Sequence, residues 1–170
     1  MKRLVSIGVV FCACALTASA QSPKVSRGQG YVFFAPGFGN IGPFDEGTGA
    51  DMHVGAGGEG FIYKGLGLGL EIGPVGPWST SGLGCSNFVV GLGSANLSYH
   101  LLPATSERKL EQFVTAGYSL FFRAGISQGY NAGFGFNRWL KRNVAMRFEV
   151  RRHFSYQRQF TGFRVGLTFR

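Results

Sequence analysis

Cysteine is nearly absent from this chain: of three, Cys12 and Cys14 fall within the first twenty residues, and Cys85 stands alone. A single thiol excludes an intramolecular disulfide framework, and with no histidine nearby in sequence it marks no catalytic nucleophile. Acidic residues are also scarce, 8 against 17 Lys and Arg, for a formal net charge of +9. His53, His100 and His153 lie in separate segments with no neighbour at metal-ligand spacing, so neither a metal centre nor a cofactor is expected. Beyond residue 20 no stretch approaches the roughly 18 apolar residues of a membrane-spanning helix. No convincing amphipathic helix is present either; the nearest candidate, 106–113, reads better as a connection. Nothing marks a boundary between domains.

What is present begins with an export signal. Lys2 and Arg3 form a charged start, 4–16 an apolar stretch, and Ala18-Ser19-Ala20 an A-x-A cleavage site. The apolar stretch is shorter than the roughly 20 residues of a membrane anchor, and Phe11-Cys12-Ala13 is a poor lead-in to an acylated cysteine. The organisation expected is therefore a signal peptide over 1–20 and one domain over 21–170. Without Lys2 and Arg3 the chain keeps 15 basic and 8 acidic residues, about +7. An exported protein meets no nucleic acid routinely, so this charge points to anionic lipid head groups or saccharide phosphates, or to solubility alone.

Glycine contributes 28 of the 170 residues, and 15% of the chain is aromatic. Glycine at that density without aromatics would indicate disorder; here the glycines sit inside alternating runs of Phe, Tyr and Val, which makes them strand glycines. Eight such runs occur, at 28–36, 51–63, 66–74, 87–101, 112–122, 130–140, 143–153 and 160–170. Most have the length of a tilted membrane strand, about 9–11 residues. The connections 37–50, 75–86, 123–129 and 154–159 are long, polar or rich in Gly and Pro, whereas Lys64-Gly65 and Lys141-Arg142 are tight. The remaining connection, 102–111, departs from the short pattern. The last run alternates to its end, as expected of a strand that closes a barrel.

Parity defines two faces. Leu66, Leu68, Leu70 and Ile72 oppose Gly67, Gly69, Glu71 and Gly73; Val144, Met146, Phe148 and Val150 oppose Ala145, Arg147, Glu149 and Arg151. Residue size indicates which face is inside. The charge-bearing faces are interleaved with small residues, as in Gly55, Gly57 and Glu59 or Gly133, Gly135 and Asn137. An eight-stranded barrel has a lumen barely wide enough for side chains, so these faces are predicted to point inward and the apolar ones toward lipid. Placing Glu59 and Glu71 both inward requires an odd loop, read as a three-residue turn Lys64-Gly65-Leu66 that sets the two carboxylates opposite each other. Arg147, Arg151 and Arg164 would then neutralise Glu59, Glu71 and Glu149 from other strands.

These features resemble the small outer-membrane β-barrel proteins of the OmpA/OmpX type. The resemblance rests on the signal, on Val54-Gly55-Ala56-Gly57-Gly58-Glu59-Gly60, on Leu66-Gly67-Leu68-Gly69-Leu70-Glu71 and on Phe163-Arg164-Val165-Gly166-Leu167-Thr168-Phe169. It implies an all-β, eight-stranded antiparallel up-and-down transmembrane barrel in contact with outer-membrane lipid and lipopolysaccharide. It also implies that Phe163, Val165, Leu167 and Phe169 form a C-terminal signal for the barrel assembly machinery. Family members end on an aromatic residue, whereas here Phe169 is followed by Arg170.

Three motifs have competing readings. Gly55-Ala56-Gly57-Gly58-Glu59-Gly60 matches a dinucleotide fingerprint, but no helix follows and no βαβ unit surrounds it. His153-Phe154-Ser155 resembles the His-x-Ser pair of outer-membrane lipid A deacylases, which implies Ser155 as nucleophile and His153 as base. That family supplies an acid about a strand later; here none follows Glu149, and Tyr156-Gln157 replaces the Asn-Ala of its motif. Trp139, Tyr63 and Tyr99, with Tyr118, Phe121, Phe122 and Tyr130, are expected in two aromatic belts. Phe38, Ile41, Phe44 and Trp78 place apolar groups in the outer loops, where they either bind a partner or pack on one another.

The function expected is that of a monomeric, non-enzymatic outer-membrane barrel, its lumen closed by a Glu/Arg network and its outer loops serving structural, adhesive or interaction roles. The alternatives are a lipid A acyl hydrolase and a secreted soluble barrel carrying a lipophile, which would need its apolar faces inward.

Overall fold

Every alternating run forms a strand in the computed structural model, which describes residues 28–40, 49–77, 89–101, 109–122, 125–156 and 158–170. The strands are β1 (Gly28–Asn40), β2 (Gly49–Tyr63), β3 (Leu66–Pro77), β4 (Val90–His100), β5 (Leu110–Phe122), β6 (Ser127–Lys141), β7 (Val144–Ser155) and β8 (Gln159–Phe169). Each pairs antiparallel with the next, and β8 returns to β1, so the sheet closes and leaves no edge. The export signal, Cys85, Ile41, Phe44 and Trp78 lie outside the described residues.

The two faces follow from the period of two. On β3, Leu68, Leu70 and Ile72 are 55%, 70% and 61% exposed, while Glu71 between them is 5% exposed. Phe163, Val165, Leu167 and Phe169 likewise point outward, and Arg164 inward. The wall is therefore apolar outside, the reverse of a soluble barrel, while the buried charges all lie on the inward face. Two gaps in the ladders coincide with Pro36 on β1 and Pro74 on β3, whose missing N–H removes a ladder donor.

Glycines make room for the large inward side chains. Tyr31 pairs with Gly57 and Phe33 with Gly55 across β1 and β2, and Phe113 pairs with Gly135 across β5 and β6. A Cβ at Gly57, Gly55 or Gly135 would come within 2.6 Å of the opposing ring. The glycine run that mimics a nucleotide fingerprint thus lies inside β2 and supplies space.

The register of the β2–β3 hairpin differs from the sequence expectation. Lys64 and Gly65 form a two-residue turn with φ of 30° and 87°, the positive-φ pair that suits a tight hairpin. A bulge between Phe61 and Tyr63, not a third loop residue, supplies the odd residue. Both glutamates still face inward, but Glu59 lies opposite Gly69 and Glu71 opposite Gly57. The offset separates two carboxylates that would repel in direct opposition. The β6–β7 hairpin repeats the device, with a bulge between Trp139 and Lys141, which shifts its turn to Arg142-Asn143.

Candidate functional site

The lumen is the most densely organised part of the molecule. At mid-barrel, Arg164 of β8 donates from both terminal nitrogens to Glu71 of β3, at 2.8 and 2.9 Å. Arg151 of β7 reaches the same carboxylate at 2.8 Å and also binds Glu149, which in turn pairs with Arg147 at 3.0 Å. The Tyr31 hydroxyl donates to Glu71 at 3.2 Å. Three guanidiniums thus surround two carboxylates. The surplus positive charge lies against aromatic faces: Arg147 is 4.4 Å from the Tyr31 ring centre and 4.0 Å from that of Phe113, and Arg164 is 4.3 Å from that of Phe33.

A second cluster occupies the short-turn end. His100 of β4 lies between two carboxylates, with Nδ1 2.8 Å from Glu111 and Nε2 3.0 Å from Glu59. An ionised carboxylate accepts only, so the placement suits a ring that donates from both nitrogens. Glu59 also accepts from the Ser98 hydroxyl, and from Gln29 Nε2 at 2.9 Å. Glu111 accepts from Trp139 Nε1 at 2.7 Å and from Arg170 at 2.9 Å to each oxygen. The Arg170 guanidinium also stacks 3.9 Å from the Trp139 ring centre.

Toward the long-loop end the lumen becomes largely apolar. Val75, Val90, Leu92, Phe121 and Phe160 form a buried cluster beside His53 and His153, whose ring centres are 6.2 Å apart. The fold therefore brings together two histidines that are far apart in sequence. Arg164 donates toward His153 Nε2 at 3.2 Å; Nδ1 is then left to donate to the Ser119 hydroxyl at 2.9 Å. His53 packs edge-on against Phe33, at 4.9 Å between ring centres.

Of the residues singled out from sequence, Glu71, Glu149, Arg147, Arg151 and Arg164 converge in one network, while Glu59 lies apart and meets His100, not an arginine. Ser155 and His153 are not joined by a hydrogen bond: the Ser155 hydroxyl pairs with that of Ser127, and both His153 nitrogens are engaged elsewhere. Trp139 and Phe121 do not belong to the lipid-facing belts; each is buried inside, because its parity matches Asn137 and Ser119, not the outward positions. Tyr63, Tyr118, Phe122 and Tyr130 are exposed. Sequence reasoning overlooked His100, Glu111 and the inward reach of Arg170. Inward parity with Ser98, Phe113 and Thr168 was the available signal.

Solved structures share this architecture. Neisserial surface protein A, from Neisseria, superposes with a TM-score of 0.67 at 12% identity, over 85% of this chain and 97% of that one. The N-terminal β-barrel domain of Pseudomonas aeruginosa OprF gives 0.57 at 17% identity, over 85% and 98%. Ail, the attachment invasion locus protein of Yersinia pestis, gives 0.51 at 7% identity, over 85% and 99%. No protein-family model and no curated protein sequence matches the chain. The fold is that of the eight-stranded transmembrane outer-membrane barrels.

Proposed function

We propose that this protein is an integral barrel of a bacterial outer membrane, acting through its outer loops, with the lumen serving as an internal brace. The observation that carries the reading is the inverted distribution of polarity: a closed wall that is apolar outside and holds ion pairs inside. The crossed arginine and glutamate side chains at mid-barrel support a lumen that braces the wall and is not a diffusion pore, and we assign no catalytic role to the protein. Phe38, Ile126 and Tyr156 are exposed at the long-loop end, which supports contact with other surfaces there. The Neisseria surface protein and the Yersinia attachment invasion locus protein share the fold, which makes structural or adhesive work the reading to test first.

Membrane fractionation and a gel comparing unboiled with boiled protein test the placement. Recovery with outer membranes and a heat-dependent mobility shift are expected; soluble recovery with unchanged mobility would overturn it. In planar bilayers the folded protein should give no steady porin-like conductance.

A further inference from the structure

All five carboxylate side chains among the described residues, Asp51, Glu59, Glu71, Glu111 and Glu149, are buried. The charged side chains on the outer surface of these residues are all cations, and five of the six, Lys64, Lys109, Arg138, Lys141 and Arg142, belong to the short-turn end. Four of them gather on one side. Arg138 lies directly opposite Leu110 across β5 and β6, and the Lys109 carbonyl accepts from the Trp139 N–H at 2.8 Å. Lys141 ends β6 and Arg142 follows it in the adjoining β6–β7 turn. None of the four has an ion-pair partner among the described residues.

The position of Arg138 identifies the ligand. It points outward three residues before Lys141, about 10 Å along the strand, on a wall that also exposes Phe134, Leu140 and Leu110. An unpaired guanidinium at the edge of the hydrocarbon is costly unless an anion meets it there. A soluble anion does not occupy that depth, but a lipid phosphate does, with its acyl chains running toward the bilayer centre along Phe134.

We propose that Lys109, Arg138, Lys141 and Arg142 form a binding site for the phosphate of an anionic phospholipid in the leaflet that faces the short turns. The proposal rests on the membrane placement above and adds a lipid preference to it. Arg138 holds the phosphate from the wall side, while the lysines and Arg142 approach from the aqueous side.

The test reconstitutes the folded, full-length mature protein in phosphatidylcholine vesicles and compares the association of spin-labelled phosphatidylglycerol with that of spin-labelled phosphatidylcholine. A preference of about fivefold for phosphatidylglycerol is expected, weakened by about 0.5 M salt. Replacing all four residues with Gln should abolish the preference, whereas Lys64→Gln, on the other hairpin, should preserve it. No preference in the parent protein, or its retention in the fourfold variant, overturns the proposal. The heat-dependent gel shift is measured on every sample: a shift without lipid preference overturns the lipid site alone, and loss of the shift in the parent overturns the membrane placement as well.

Discussion

The middle of the lumen and its short-turn end both hold two glutamates, yet they neutralise them differently. At mid-barrel the partners are arginines whose side chains are no more than 3% exposed, anchored on β7 and β8. At the short-turn end the partners are a histidine and Arg170, whose side chain is 17% exposed. Removing a partner deep inside strands a charge that water cannot reach, whereas Arg170, partly exposed at the mouth, can exchange its carboxylate for solvent. Depth in the lumen, more than the number of ion pairs, should therefore set the energetic weight of each residue.

The sharpest way to break this comparison is Glu71→Ala, which leaves Arg151 and Arg164 facing each other without their shared carboxylate. A loss of about 3–5 kcal/mol is expected in urea unfolding from lipid vesicles; a loss below about 1 kcal/mol would show that water enters the middle. Glu111→Ala should cost about 1–3 kcal/mol, because His100, Trp139 and Arg170 lose an acceptor near the opening. Arg147→Leu offers a different test, since it removes the surplus cation and leaves Glu149 with Arg151. Its stability should change by no more than about 1 kcal/mol, and a loss like that of Glu71→Ala would mean that the aromatic faces around Arg147 contribute more than charge balance does. Arg170→Ala should have the smallest effect, about 0–1 kcal/mol. That effect should shrink further with salt, while the Glu71 defect persists in the same titration.

Much of the architecture was readable because strand side chains alternate with a period of two. Leu68, Leu70 and Ile72 on one face and Gly67, Gly69 and Glu71 on the other already separate lipid from lumen, and glycine beside charge marks the cramped side. The aromatic residues were harder. Trp139 and Phe121 look like belt residues by type and position, but their parity sends them inside, where Trp139 donates to Glu111. His153 and Ser155 stand two apart on one face of a strand, and that spacing does not bring their polar atoms together. Their hydrogen bonds go to Ser119 on β5, across the lumen, and to Ser127 on the adjacent β6.

The amino-acid order alone determined the strand number, the antiparallel plan and which side chains face in, since all three follow from local periodicity and turn chemistry. The tertiary structure decided the register and the partners. A bulge at one hairpin moved Glu59 and Glu71 to different heights, and barrel closure brought Glu71 to Arg164 across 93 residues of chain. Any inward residue on any of eight strands can meet another at the same height, and strand stagger sets that height only once the barrel has closed.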